Sequence, residues 1–254
     1  MTQEERIQQI KRLLNKEHHL ITRELADYFN VSFDTARRDV IRLTSTGQAI
    51  RVHGGIIAVD QDDVPNFLTR NSIDSPVKTK MARMAQKFVH PNQFDFIGPS
   101  TILKKLCELI NGMDLQIVTN SIDNSLALMQ SKLPNVRLLG GKIDKEHRFN
   151  YSVTSLDTLR RMTFNTAFIG TSNVKSDGIY LTRMSDSELI RVAASRAKQI
   201  VVVAEKYKFN SQNTSPFMSL PLSQIDVFIS DEPLTQKMKE NFAPNTQFIS
   251  VLRK

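Results

Sequence analysis

Cys107 is the one cysteine among 254 residues, so no disulfide can close within the chain, and this fits a reducing cytosol. No apolar run approaches the roughly 18 residues of a membrane span. The opening stretch, MTQEERIQQIKR, is charged and helical in pattern, unlike a secretory leader. The expectation is a cytoplasmic protein without a membrane partner. His18, His19, His53, His90 and His147 are scattered without metal-ligand spacing, so neither a metal site nor another cofactor is expected.

The formal net charge of +8 suits a polyanionic partner. The excess does not say where such a partner sits. Residues 1–59 hold nine Lys/Arg against seven Asp/Glu, a net of +2, and the remainder holds 25 against 19, a net of +6. A nucleic-acid surface must therefore be argued from where particular arginines point.

Ile7, Ile10 and Leu14 recur at helical spacing and predict a helix over about residues 2–15. Thr22 is placed to cap a second helix over 23–30, with Leu25, Ala26 and Phe29 on one side. After Asn30 and Val31, Ser32 is a good cap for a third helix over 33–45, and two helices joined by about three residues make a helix-turn-helix. At about 100° per residue, Phe33, Ala36, Val40 and Leu43 share one side of that third helix. Asp34, Thr35, Arg38 and Arg42 lie opposite, Arg37 flanks the apolar stripe, and Ile41 turns partly outward. A helix docked by the stripe presents Thr35, Arg38 and Arg42 where a recognition helix meets base edges. Arginine can bond O6 and N7 of guanine together, and threonine can touch a thymine methyl. Ser32 and Arg42 are better placed for phosphates. Gly47 suits a helix stop. The following segment reads as two short strands around His53-Gly54-Gly55, a wing from which Arg51 and His53 reach the backbone or minor groove.

In order along the chain come Glu24-Leu25-Ala26, Val31-Ser32, Thr35-Ala36-Arg37-Arg38-Asp39, Gly47, Arg51 and His53-Gly54-Gly55. This string resembles the signature of the DeoR family of bacterial repressors, with Val40 where the family often has Leu. The resemblance covers most of residues 6–57 and implies binding to double-stranded operator DNA. Residues 60–76, with Asp60, Asp62, Asp63 and two prolines, read as a linker rather than an acidic site.

Beyond a helix over 78–89, short apolar strands alternate with helices of about ten residues. Strands are expected at 94–97, 116–119, 136–139, 166–169, 200–204 and 227–230, and helices at 100–110, 122–131, 152–161 and 186–197. This pattern predicts a mostly parallel sheet covered on both faces, with ligands outside the carboxyl ends of the strands. The turns there share a chemistry: Gly98-Pro99-Ser100-Thr101, Thr119-Asn120-Ser121, Gly140-Gly141-Lys142 and Gly170-Thr171-Ser172-Asn173. Glycines allow close backbone approach, and hydroxyls and free N–H groups offer donors to an anion. Lys208 follows the fifth strand and can add charge.

Residues 76–232 also resemble the DeoR family, whose effector domain is related to ribose-5-phosphate isomerase and typically binds a phosphorylated sugar. The family's G-T-T, T-N-S, G-G and S-K-F turns answer to Gly98–Thr101, Thr119–Ser121, Gly140-Gly141 and Lys208-Phe209. Phe96-Ile97-Gly98-Pro99 and Ser172-Asn173-Val174 look most like the lactose phosphotransferase system repressors, which answer to tagatose 6-phosphate. Departures are Glu205-Lys206-Tyr207 before Lys208-Phe209, Ile190 beside Arg191 in place of a common lysine, and Thr101-Ile102 in the threonine run. Lys206 adds charge suited to a more anionic ligand such as a bisphosphate.

The fold class expected is therefore α/β, with a winged helix-turn-helix over 1–59, a linker over 60–76 and an isomerase-like sensor domain over 77–254. The function expected is a homo-oligomeric, non-enzymatic repressor of sugar-metabolism genes controlled by a phosphorylated sugar. The alternatives are a sugar-phosphate isomerase using Asp123, Glu188 or Glu205 as base, and a regulator that answers only to a protein partner.

Overall fold

The computed structural model describes residues 1–17, 19–45, 49–52, 54–58, 75–209 and 215–252. Gly47, His53 and most of the 60–76 segment lie outside the described residues. The chain divides into two compact units, Met1–Ser75 and Pro76–Lys254.

In the first unit, α1 (Gln3–Glu17) carries Glu4 and Glu5 in its first turn, where the helix dipole favours acids. Strand β1 (His19–Ile21) is too short to show a period in the sequence and was not expected. It runs directly into α2 (Thr22–Tyr28). This corrects the role expected of Thr22, which is the first helical residue and buried, not the cap. Its backbone N–H donates to the Gly54 carbonyl at 2.8 Å, so tertiary contact replaces a side-chain cap. Ser32 does cap α3 (Phe33–Ser45): its Oγ accepts from the Thr35 N–H at 3.2 Å. Strands β2 (Ala49–Val52) and β3 (Gly55–Ala58) complete an antiparallel sheet ordered β1-β3-β2. Any Cβ on Gly55 would lie 2.1 Å from the Leu20 carbonyl oxygen, so only glycine lets β1 approach β3. Ile7, Ile10, Leu14, Leu25, Ala36, Val40, Leu43 and Ile56 fill the core. Phe33 does not join them and is exposed, because it precedes the part of α3 that the other helices cover.

The second unit is built on seven parallel strands: β4 (Phe94–Ile97), β5 (Gln116–Thr119), β6 (Asn135–Leu138), β9 (Phe164–Gly170), β12 (Ala197–Val203), β14 (Val227–Ser230) and β15 (Gln247–Ser250). Their order is β15-β14-β12-β9-β4-β5-β6. Side chains alternate between two buried faces, as in Phe96 against Ile97, Val202 against Val201 and Phe228 against Ile229. Burial on both faces explains why these strands read as continuous apolar runs. One face packs on α7 (Val153–Arg160) and α8 (Met184–Ser195). The other packs on α4 (Pro76–Gln86), α5 (Thr101–Ile110) and α6 (Ile122–Leu128). Helix α4 starts at Pro76, a residue pre-set for the first helical position, rather than at 78.

Three additions were not expected. A hairpin of β7 (Lys142–Asp144) and β8 (Phe149–Tyr151) follows β6. A small antiparallel sheet joins β10 (Asn173–Val174), β11 (Gly178–Leu181) and β13 (Phe217–Pro221). Strand β15 extends the main sheet, and a short helix α9 (Gln236–Lys239) precedes it. The chain leaves β4 through β5 and β6, then returns to the other side of β4 as β9. The strand order reverses there, and such a reversal opens a crevice outside the carboxyl ends of the strands.

Candidate functional site

Two surfaces carry the residues singled out by the sequence, one in each unit. On α3, Ser32, Arg37, Arg38 and Arg42 are exposed and Thr35 is half-buried. Arg51 is exposed on β2. Arg37 and Arg38 make no ion pair among the described residues. Arg42 is held from α1, donating to Glu4 Oε2 at 2.8 Å and Gln3 Oε1 at 3.2 Å.

The sequence reading missed what orients this surface. Asp39 lies on the buried side of α3 and accepts Arg6 Nε at 2.8 Å, Arg6 Nη2 at 3.4 Å and Gln3 Nε2 at 2.8 Å. Both charged groups are buried. The available signal was Asp39 standing three residues after Ala36, in phase with the stripe, and Arg6 standing beside Ile7. A forked guanidinium on a carboxylate fixes orientation as well as distance, so α1 sets the roll of α3.

In the second unit, all four turns singled out by chemistry lie along the carboxyl edge of the sheet. At the reversal point the Gly98 N–H donates to the Phe168 carbonyl at 2.9 Å. A Cβ on Gly170 would lie 2.7 Å from Ser100 Cβ, so the loops after β4 and β9 touch. Ser100 Oγ caps α5 by accepting the Ile102 N–H at 3.2 Å, and Thr101 is buried behind it. Thr119 Oγ1 donates to the Ile97 carbonyl at 2.6 Å and accepts the Ser121 N–H at 3.1 Å. Ser121 Oγ in turn caps α6, accepting the Asn124 N–H at 3.2 Å. Thr119, Asn120 and Ser121 are fully buried. The Gly140 carbonyl accepts Ser152 Oγ at 3.2 Å and Ser155 Oγ at 2.6 Å. Gly141 has φ +135°, and a Cβ there would strike the Tyr151 carbonyl oxygen at 2.1 Å. Lys208 is buried in the 3-10 turn Lys206–Phe209, its Nζ 4.7 Å from the Tyr207 ring centre.

Asn124 and Asp186, two buried polar residues at this edge, escaped the sequence reading. Asn124 Nδ2 donates to the Gly98 carbonyl at 2.9 Å. Asn120 Nδ2 donates to Asp186 Oδ1 at 3.0 Å. Burial pushes the Asp186 carboxyl up to about 7, with the Asp144 charge adding to the rise. Asp186 stands in the first turn of α8, where an acid reads from sequence as ordinary dipole matching.

The three carboxylates considered as catalytic bases stand as follows. Asp123 is bound by Arg148 Nε at 2.6 Å, and Glu188 accepts the Tyr151 hydroxyl at 2.7 Å. Glu205 directly follows Ala204 at the end of β12. Asp144, Glu146 and His147 bring oxygen and nitrogen atoms within 4.8 Å of one another. The Arg183 guanidinium already meets that group, at 2.6 Å from Glu146 and 3.3 Å from Asp144.

Comparison with known proteins gives two family matches, a DeoR-like helix-turn-helix domain over residues 6–62 and a DeoR C terminal sensor domain over residues 74–232. The HTH-type transcriptional repressor GlcR of Bacillus subtilis is 30% identical over 232 residues, 91% of this chain and 89% of that protein. The lactose phosphotransferase system repressor of Streptococcus mutans is 28% identical over 236 residues, 91% of this chain and 93% of that protein. Among solved structures, ribose 5 phosphate isomerase A from Neisseria gonorrhoeae overlaps at 17% identity and a TM-score of 0.39, covering 53% of each chain. That overlap is too partial to carry a functional reading. No described helix is long and apolar enough to cross a membrane.

Proposed function

Because this chain belongs to the DeoR family of transcriptional regulators, we propose that it is a cytoplasmic, homo-oligomeric repressor of sugar-metabolism genes that is controlled by a phosphorylated sugar and has no enzymatic activity. Thr35 and Arg38 meet base edges, Arg37 anchors the helix beside them, and Ser32, Arg42, Arg51 and His53 meet the DNA backbone or minor groove. The observation that carries this reading is the polar side of α3, which leaves Arg37 and Arg38 exposed while the opposite side is locked to α1. A two-fold operator calls for at least a pair of such surfaces.

The effector enters at the reversal point of the sheet, among Gly98, Ser100, Thr101, Thr119, Asn120, Ser121, Gly140, Gly141 and Lys208. Backbone amides of the glycine turns and the Lys208 ammonium favour the phosphate. A ligand of this kind controls DNA binding only through a difference in affinity for two arrangements of the protein. Tagatose 6-phosphate is the first ligand to try, since the lactose phosphotransferase system repressor is among the relatives. A bisphosphate is the second, because Lys206 lies in the same turn, although its Nζ is paired with Glu232 Oε2 at 2.7 Å and a second phosphate would have to displace that carboxylate.

Operator binding measured by fluorescence anisotropy, with and without a panel of hexose and pentose phosphates, tests the reading. At least one phosphosugar must shift operator affinity several-fold; no response to any of them would overturn effector control. Incubation of the protein with the same panel separates the isomerase alternative, since turnover of any member would favour an enzyme. Asp123 and Glu188 are already engaged by Arg148 and Tyr151, which speaks against either as a base.

A further inference from the structure

Of the buried amide oxygens with no hydrogen-bond partner among the described residues, one lies before β4, in Gln93, and three lie toward the carboxyl edge of the sheet, in Asn120, Asn124 and Asn150. Native proteins rarely leave such acceptors unpaired, and each one calls for an explanation. Two of the three stand side by side. Ser121 pairs antiparallel with Phe149, the Asn150 N–H donates to the Asn120 carbonyl at 2.8 Å, and the Ile122 N–H donates to the Arg148 carbonyl at 3.1 Å. Asn120 and Asn150 thus oppose each other beside an isolated antiparallel bridge, a register in which opposed residues share a face. Asp186 joins them from α8 through the Asn120 amide, at 3.0 Å. Asn120, Asn150 and Asp186 are each more than nine-tenths buried.

The chemistry of this group is one-sided. Two amide oxygens and a carboxyl are acceptors, and they repel phosphate while inviting O–H donors. Burial that holds the Asp186 carboxyl near neutrality lets it donate to a hydroxyl as well as accept from one. Lys208 presents the opposite character, a buried ammonium with donors and no acceptor. We propose that Asn120, Asn150 and Asp186 form a hydroxyl-binding subsite that takes the polyol end of the effector, leaving its phosphate to the turns around Gly98, Gly170 and Lys208. The proposal rests on the effector reading above and fixes the direction in which the ligand lies. It makes Asn150 and Asp186, from the β7–β8 hairpin and α8, determinants of which sugar is recognised.

Isothermal titration on the full chain tests it, with the hexose 6-phosphate that the wild type binds best, that sugar's single-deoxy analogues, and inorganic phosphate as probes. Asn150→Ala is expected to weaken the hexose phosphate at least about tenfold while inorganic phosphate binds within twofold of wild type. Amide hydrogen exchange across residues 94–97 and 164–170, unchanged from wild type, reports that the second unit of the variant is folded. Should Asn150→Ala fail to fold, the deoxy series on the wild type decides, because removal of one hydroxyl must cause the same tenfold loss. Asp186→Asn provides a second, near-isosteric variant, expected to lose discrimination between the sugar and that deoxy analogue. Sugar affinity within twofold of wild type in Asn150→Ala, or equal binding of every deoxy analogue, would mean that the amide oxygens face only water, and would overturn the subsite alone. A wild type that binds no hexose or pentose phosphate would overturn the effector reading together with it.

Discussion

Replacing Asp39 by alanine separates the residues that hold the DNA-reading surface from those that merely border it. The side chains of Arg6 and Asp39 are 10% and 1% exposed, and the carboxylate takes three donors from α1. Removing one member of a buried, hydrogen-bonded pair leaves the other charged and unpaired, at a cost of about 3–5 kcal/mol. Small domains have only about 5–15 kcal/mol of total stability, so Asp39→Ala removes a large share of what holds the first unit. At about 4–8 °C per kcal/mol for a domain of this size, the unit should melt at least about 12 °C lower. The nearby Arg42–Glu4 pair makes the contrast, because at 46% and 65% exposure it is solvent-screened and contributes about 0–1 kcal/mol. Amide hydrogen exchange across residues 3–17 and 33–45 in the full chain reads this unit without interference from the other. Asp39→Ala should speed exchange there by two orders of magnitude or more, and Glu4→Gln should leave it nearly unchanged. The double replacement Arg6→Met with Asp39→Leu should recover most of the loss, because it leaves no orphaned charge. If Asp39→Ala altered the opening free energy by less than about 1 kcal/mol, the claim that α1 fixes the roll of α3 through this pair would be wrong.

Arg38→Ala should preserve folding and cost about 1–3 kcal/mol of operator discrimination, the worth of a bidentate base contact; an unaltered ratio of operator to random-DNA affinity would refute it. Arg42→Ala should weaken binding to every sequence and lower the logarithmic salt dependence by about one, and an unchanged slope would count against a phosphate contact. Gly170→Ala drives a methyl to 2.7 Å from Ser100 Cβ and 3.1 Å from the Pro99 carbonyl, so loop backbone must move, at about 1–3 kcal/mol. Gly98→Ala meets only the movable Ile190 Cδ1, at 2.8 Å, and should be milder; the reverse ranking in thermal melts would contradict the geometry. Burial raises the Asp95 carboxyl to about 7, while the unfolded chain gives up that proton near pH 4. The folded state therefore holds the extra proton between those values, and stability declines as pH rises from about 4 to 7. Asp95→Asn keeps an acceptor for the Thr166 N–H without ionising, and should be more stable than wild type at pH 8 with no gain at pH 4. Melting curves that run parallel across that range would refute the assignment.

Spacing along the chain was enough to determine the three helices of the first unit, the cap at Ser32, the outward arginines and six of the seven main-sheet strands. Helical and strand periods are local, so a residue's face follows from its neighbours in sequence. The turns rich in glycine and hydroxyls were legible for the same reason, because strands that all run one way deliver their carboxyl ends to one edge. Tertiary structure alone decided the partners of the buried polar groups. Arg6 and Asp39 are 33 residues apart, and Asn120 and Asp186 are 66 apart. Asn120 was legible as a turn residue and Asp39 as part of the helix signature, but Arg6 and Asp186 in isolation read as ordinary surface residues. A charge or amide becomes affordable in a core only when packing brings a complementary group to it, and no local pattern encodes which one arrives. The same reason hid β1, the β7–β8 hairpin and Asn150: elements of three residues have no period of their own and exist because another strand presents an edge to pair with.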